Sequence, residues 1–371
     1  MASPALKPHS LVDLVALDRE GMGAFVETLG EPRYRGRQLF RWVHARGAAS
    51  FDEMTDLPKA LREKLKETAT LGTLQEVTRR TARDETIKVL FALPSGRRVE
   101  GVLIPDLDDE TGEAKRLTVC VSSQVGCAMG CHFCATGLMG FSENLTAGQI
   151  AGQVRHLDTL ARERFGKGVT NVVYMGMGEP LQNYDAVVKS TEVLTDPDGL
   201  GLSPKRITVS TVGLARRIRQ FADDQAEGRA PAVGLAVSLH APTDVQRSAI
   251  MPVNRSEKTD LQALRDAIAY FYRRTKRRIT FEYCLFAGVN DSEEDARNLA
   301  KAARWAPTKV NLIMYNPVEG TPFRSPDEDR LQRFIRVLVD EGVTVTVRRS
   351  RGQDIEAACG QLAVLDQVDG S

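Results

Sequence analysis

The sequence predicts an α/β protein whose centre is a partial, TIM-like (β/α)6 barrel, preceded by a small helical domain and a β-hairpin. Three observations carry this. From residue 116 onward, six short apolar, β-branched runs alternate with six segments of helical periodicity. Such βα units wind in a right-handed sense into a barrel or part of one. Clusters of small and polar residues follow most of the apolar runs, and in barrels the loops after the strand C-termini carry the chemistry. Ahead of residue 75, by contrast, the apolar pattern is helical only.

In chain order, residues 1–15 are expected to be disordered. A helical domain is expected over residues 16–75. Asp18 can cap its first helix, in which Met22, Phe25, Val26 and Leu29 share one face before Gly30 stops it. The second helix, residues 36–46, turns Leu39, Phe40 and Val43 inward, and the third starts near Pro58 and runs through Leu61 and Leu65. Its basic residues, among them Arg33, Arg35, Arg37, Arg41, Arg46, Lys59, Arg62, Lys64 and Lys66, are candidates for phosphate contact, with acidic neighbours interleaved. Residues 76–112 are read as the hairpin extension, with strands at 86–93 and 98–104 around Pro94-Ser95-Gly96, then an exposed acidic loop at 106–113. The barrel is expected over residues 113–348. Its strands fall at 117–122, 171–175, 206–210, 233–238, 279–284 and 310–314, and its helices at 146–164, 184–194, 214–224, 261–275, 292–304 and 327–341. Residues 349–371 form a C-terminal segment.

Composition narrows the class. The chain has 371 residues, 42% hydrophobic and 27% charged, enough for a sizeable core. No run approaches membrane-span length and the start lacks an apolar signal core, so a cytoplasmic protein is expected. Net charge is +1, which excludes a polycation, and any nucleic-acid surface must come from local segregation such as residues 273–278 or 348–351. A charge run is more often a solvated face.

Between the first strand and its helix lies Cys127-Ala128-Met129-Gly130-Cys131-His132-Phe133-Cys134. Clustered cysteines without a sign of export are metal ligands or redox groups more often than disulfides. Structural zinc takes four protein ligands and a ferredoxin cluster four thiolates. Cys127, Cys131 and Cys134 make an incomplete set, which points to an iron–sulfur cluster with one iron left open. Zinc or an ordinary electron-transfer centre stays open on spacing alone. The second strand ends in Gly176-Met177-Gly178-Glu179-Pro180, read either as a tight turn or as a backbone that a ligand approaches closely, with Glu179 to receive an ammonium group. Small polar groups also end the third, fourth and sixth strands, at Ser210, Ser238 to His240 and Asn316. Each alone is more often a turn or cap. Cys284 reads as a small buried hydrophobe, whereas Cys120 and Cys359 have less structural excuse.

The Cys-x3-Cys-x2-Cys spacing with Phe133 resembles the signature of radical S-adenosylmethionine (SAM) enzymes. Residues 121–126, 176–180, 238–242 and 354–362 together resemble one subgroup, the RlmN/Cfr family of radical SAM RNA adenine methyltransferases, and the likeness runs from the helical domain to Leu362. The resemblance implies a radical SAM barrel and a [4Fe-4S] cluster on Cys127, Cys131 and Cys134, with SAM contacts at Gly178, Glu179, Ser210, Ser238, Leu239, His240 and Asn316. Two SAM molecules are used per turnover. One methylates Cys359, and the other is cleaved reductively to a radical that activates that methyl for addition to the electron-poor adenine carbon. Glu100 corresponds to the family's proton acceptor at that carbon, although as a residue it reads equally as a solvent-facing strand position. Cys120 then attacks the sulfur of Cys359, which releases the methylated RNA and leaves a disulfide bond to be reduced. The implied substrates are 23S rRNA at the peptidyl transferase centre and the adenosine 3′ of the anticodon in some tRNAs, both methylated at C2. Other implied partners are an electron donor such as flavodoxin with flavodoxin reductase, and a monomer is the default. Residues 122–125 and 356–362 look closer to the C2 type, and Cfr-type methylation at C8 is the alternative. A catalytically inactive iron–sulfur RNA-binding protein would not need Cys120 and Cys359, and a small-molecule enzyme would not explain the helical domain.

Overall fold

In a computed structural model the described residues are 11–256, 260–348 and 350–363. The disorder expected at residues 1–10, Arg349 of the basic run, and the tail from residue 364 lie outside them. Residues 11–15 do not follow that expectation. Strand β1 (Val12–Asp13) pairs in parallel with β2 (Ala69–Thr70), and Leu14 and Val15 are fully buried.

Between β1 and β2 lie helices α1 (Arg19–Thr28), α2 (Tyr34–Phe40) and α3 (Lys59–Thr68). Asp18 caps α1, its Oδ1 accepting from the Gly21 amide at 2.7 Å. Met22, Val26, Leu39, Phe40, Val43, Leu61 and Leu65 close a core that also takes in Ala151 and Val193 of the barrel helices. The helical domain is therefore seated on the barrel by shared apolar packing. Charge adds to it: Arg37 and Arg41 each donate two hydrogen bonds to Asp198, and Arg19 a third contact at 3.0 Å. Two of the basic residues expected to meet phosphate are thus engaged within the chain. Arg33 pairs with Glu27 and Lys66 with Asp52, which narrows the free basic surface further.

The expected hairpin is part of something larger. Strands β3 (Gln75–Thr81), β4 (Ile87–Ala92) and β5 (Arg98–Leu107) form an antiparallel meander that joins the barrel sheet through β6 (Ala114–Cys120). The acidic stretch is a free loop only past Leu107, because Asp106 sits in β5 opposite Arg116. The short strands β7 (Gln124–Gly126) and β8 (Phe141–Asn144) flank α4 (Ala135–Leu138) and the cysteine run. Then follow α5 (Ala147–Phe165), β9 (Asn171–Tyr174), α6 (Tyr184–Thr195), β10 (Ile207–Thr211), α7 (Ala215–Ala226) and β11 (Gly234–Ser238). The short helices α8 (Asp244–Ile250) and α9 (Val253–Ser256) precede α10 (Leu261–Thr275), β12 (Ile279–Leu285), α11 (Glu293–Ala302), β13 (Thr308–Met314), α12 (Glu328–Asp340) and β14 (Val345–Arg348).

The ten-stranded sheet runs β14-β13-β12-β11-β10-β9-β6-β5-β4-β3. From β6 to β14 every ladder is parallel, and β14 is a seventh barrel strand beyond the expected six. Within this sheet β14 and β3 are edges, so the barrel is open, as expected of a partial one. All parallel strands point the same way, which sends the loops after β6, β9, β10, β11 and β13 to one end. Because β5 runs antiparallel to β6, the start of β5 reaches that same end.

Candidate active site

The cysteine loop is held by its neighbours. Gly126 sits at φ +71°, and a Cβ there would lie 1.8 Å from the Gly140 carbonyl oxygen, which accepts the Cys127 amide at 2.9 Å. Only glycine permits that approach. The residues just before it lock the loop to the turn after β9. The Ser122 hydroxyl donates to the Glu100 carbonyl at 2.6 Å and accepts from the Met177 amide at 2.9 Å, and Gln124 Oε1 accepts from the Glu179 amide at 2.8 Å. Residues 122–124 thus earn their place by joining three loops.

Cys127, Cys131 and Cys134 line one cleft together with Gly178, Glu179, Ser210, Ser238, His240 and Cys359. Burial pushes the Cys127 thiol up to about 12 and the Cys131 and Cys134 thiols upward as well, each raised further by neighbouring thiols. Among the described residues no three His, Cys, Asp or Glu side chains converge tightly enough to hold a single metal ion. A tetrahedral zinc site, with sulfurs at about 2.3 Å from the metal, needs those sulfurs roughly 3.8 Å apart. Three thiols lining one cleft, Cys127 and Cys131 buried and Cys134 partly so, suit a cluster in which each thiolate takes its own iron. Metal binding would also remove the thiol protons that burial holds in place.

Glu179 is buried, and burial raises its carboxyl to about 7 against the opposing pull of the Val212 and Leu181 amides, which it accepts at 2.8 and 2.9 Å. A carboxylate so placed is a strong site for an ammonium group. His240 stands at φ +53°, its Nδ1 accepting from the Cys284 amide at 3.0 Å, so its proton resides on Nε2. Burial, with Arg247 nearby, lowers it to about 3 and leaves the ring neutral. Leu239 and Asn316 do not line the cleft. The Leu239 side chain is fully buried and its amide bonds the Glu282 carbonyl. Asn316 Nδ2 instead donates to the Cys359 carbonyl at 3.1 Å, and its Oδ1 accepts from Gln353.

The C-terminal segment that bears Cys359 is stitched to the loops around it. The Ala135 amide donates to the Gly360 carbonyl at 2.8 Å, Thr136 to the Leu362 carbonyl, Gln361 to the Pro317 carbonyl at 3.0 Å, and Lys88 to the Glu356 carbonyl at 3.2 Å. Cys120, at the end of β6, is buried, and burial together with the nearby Cys359 thiol pushes it up to about 12. Sheet register gathers further groups on one face. Cys120 lies opposite Val102, Val102 opposite Lys88, and Glu100 opposite Leu90, so Lys88, Glu100 and Cys120 share a side of the sheet. Glu100 is not a solvent-facing position: it is 5% exposed and pairs with Lys88 Nζ at 3.0 Å.

Three residues at or beside the cleft, Glu282, Cys284 and Arg348, are not among the expected site residues. Ser238, Glu282, Asn311 and Thr346 pair across the barrel strands, as do Cys284, Ile313 and Arg348, which brings Glu282, Cys284 and Arg348 to the inner face. Cys284 is buried, as expected, but it lines the cleft, where burial and then the nearby Cys359 and Cys134 push its thiol upward. Arg348 is no free RNA contact. Its Nη1 lies 3.7 Å from Met175 Sδ, and the Cys359 thiol, then Glu282 and Cys120, favour its charged form against burial. A signal existed for Glu282 and for Lys88, since each is a charge inside an otherwise apolar strand. Two residues of the run at 273–278 are likewise engaged: Arg274 bonds Asp223 and Glu227, and Arg278 the Thr308 carbonyl.

Residues 12–71 match the family model of the ribosomal RNA large subunit methyltransferase N-terminal domain, and residues 121–300 that of the radical SAM superfamily. A Salinibacter ruber protein described as a probable dual-specificity RNA methyltransferase RlmN is 61% identical over 352 residues, 95% of this chain and 94% of its own length. The dual-specificity RNA methyltransferase RlmN of Halorhodospira halophila is 46% identical over 95% of this chain and 93% of its own. The crystal structure of a radical SAM methyltransferase from Sphaerobacter thermophilus superposes with a TM-score of 0.87 at 43% identity, covering 95% of this chain and 99% of that one. Among the described residues no helix is long and apolar enough to cross a membrane. The cysteine loop, the open barrel and the seated helical domain therefore agree with the comparisons, and the chain belongs to the RlmN family of radical SAM, SAM-dependent RNA methyltransferases.

Proposed function

We propose that this chain methylates C2 of one adenosine in 23S rRNA and of the adenosine 3′ of the anticodon in some tRNAs, carrying the methyl group on Cys359. The observation that carries the reading is the meeting of two thiols with a cofactor cleft. Cys359 lines the cleft of Cys127, Cys131 and Cys134, and Cys120 stands near enough to feel its charge. All six cysteines are free thiols.

In this reading Cys127, Cys131 and Cys134 hold the [4Fe-4S] cluster. When bound, it supplies the electron that cleaves SAM to a radical able to take hydrogen from an S-methyl group. Glu179 receives the amino group of SAM, and the Ser210 and Ser238 hydroxyls and His240 Nε2–H offer hydrogen bonds around it. Gly178, at φ +98°, leaves the backbone bare for close approach. Because Cys359 opens into this same cleft, one site serves both SAM molecules in turn. Asn316 holds the Cys359 carbonyl and so fixes where the sulfur points. The Arg348 cation stands beside Cys359. Glu100 takes the proton from the adenine carbon, and the unpaired electron left on the ring by addition of the S-methylene radical would return to the cluster. Cys120 then forms a bond to the Cys359 sulfur as the carbon–sulfur bond breaks; the electron pair of that bond goes to the transferred carbon, which gains a proton and leaves as methyl. Burial keeps Cys120 protonated until that step, which protects it from competing for the first methyl.

The test supplies SAM with a deuterated methyl group to the purified protein without RNA, then adds RNA. Labelled S-methyl on the Cys359 peptide, followed by label at adenine C2, is the expected result. A wild-type rate of transfer by Cys359→Ala would refute a carrier at this position.

A further inference from the structure

Lys88 and Glu100 form an ion pair buried at the inner end of the meander, 8% and 5% exposed. The pair is diagonal across the β4–β5 ladder: Glu100 faces Leu90 and Lys88 faces Val102. Lys88 Nζ lies 3.0 Å from Glu100 Oε1 and also donates to the Glu356 carbonyl at 3.2 Å, three residues before Cys359. The other carboxylate oxygen, Oε2, is buried and has no hydrogen-bond partner among the described residues, with the Ala363 amide beside the carboxylate. One oxygen is thus held by an ammonium group while its twin has no bonded partner among the described residues, which leaves an acceptor where a proton can be delivered.

We infer that Lys88 is the positioning residue of the proton-abstraction step, holding Glu100 ionised through Oε1 so that Oε2 is free to take the proton, and tying that base to the segment that carries Cys359. The inference rests on Glu100 being the base, as proposed above. In the step itself the C2–H bond breaks, the proton passes to Glu100 Oε2, the bonding pair stays with the ring, and the unpaired electron that radical addition left on the ring would return to the iron–sulfur cluster that Cys127, Cys131 and Cys134 would hold. Lys88 loses no proton. The charged groups that face Glu100 from the packed elements are Lys88 on β4 and Glu356 on the C-terminal segment. Burial acts most strongly and raises the Glu100 carboxyl, Lys88 opposes it most, the Ala363 amide opposes it less, and Glu356 adds to the rise. Without Lys88 the carboxyl would hold its proton to higher pH and fail as a base at neutrality.

The experiment is a quenched single turnover of the cluster-loaded enzyme with labelled RNA, following the covalent protein–RNA adduct and the methylated product across pH. Lys88→Met is expected to form the adduct but to resolve it slowly, about tenfold for each pH unit by which the base is raised, with the rate recovering as pH rises. Lys88→Arg restores the cation and should return the profile toward wild type. Lys88→Gln keeps a hydrogen-bond donor and removes the charge, so it must shift the profile as Lys88→Met does; it stands in if Lys88→Met does not fold. A wild-type pH profile in Lys88→Gln overturns the inference. So does a folded Lys88→Met that resolves the adduct normally while Glu100→Gln stalls. If Glu100→Gln itself resolves the adduct at the wild-type rate, the base reading fails first and Lys88 falls with it.

Discussion

Glu179 offers a signed test of the cleft. In the cluster-free chain its carboxyl stands at about 7, against 4.5 for the free side chain, because burial outweighs the amides it accepts. The folded chain therefore binds this proton more tightly than the unfolded chain. Its contribution to stability is fully present below about 4.5 and is lost as pH rises through about 7. Integrated from about pH 5 to about pH 8, the loss is on the order of 2.5 kcal/mol. Glu179→Gln cannot titrate, and it also gives up one of the acceptors for the Val212 and Leu181 amides, a fixed cost of about 1–3 kcal/mol. That cost does not vary with pH, so the difference between the two proteins isolates the titration. Urea unfolding of both cluster-free proteins at the two pH values is the assay. Relative to wild type, Glu179→Gln should gain about 2.5 kcal/mol on going to the higher pH. A difference flat across pH would refute a desolvated carboxyl, and with it the argument that the cleft is built to receive a cation.

Two further outcomes follow from geometry. Gly126→Ala places a methyl 1.8 Å from the Gly140 oxygen in a left-handed conformation, at a cost of at least about 2 kcal/mol, and should lower iron and sulfide content after reconstitution while circular dichroism stays near wild type. Asp198→Ala removes the acceptor shared by Arg19, Arg37 and Arg41. Those arginines are about half exposed, so after allowance for solvent screening the expected effect is on the order of tenfold faster amide exchange in residues 12–71, with less effect at high salt.

Much of this was legible in the chain. The parallel strands announce themselves because their residues are β-branched and buried on both faces, as in Val172, Val209 and Val237. The cysteine loop and the Gly176 to Pro180 turn carried the site. What the sequence hid has two physical causes. Edge strands expose polar side chains, so Gln75–Thr81, exposed along most of its length, reads as loop, and the short Val345–Arg348 gives too little period. Charged residues read as surface by default, and so do Lys88 and Arg348 in sequence, whereas register turns them inward. The same default made phosphate ligands of Arg37 and Arg41, which the fold spends on Asp198.

The most direct measurement is mass spectrometry of Cys120→Ala purified from cells without reductant. Cys120 is the group proposed to release the product, so its loss should leave RNA bonded through a methylene to Cys359 at adenine C2. The same adduct at C8 would keep the mechanism and contradict the regiochemistry. A protein that retains its cluster, cleaves SAM and carries no adduct would contradict methyl transfer through Cys359 altogether.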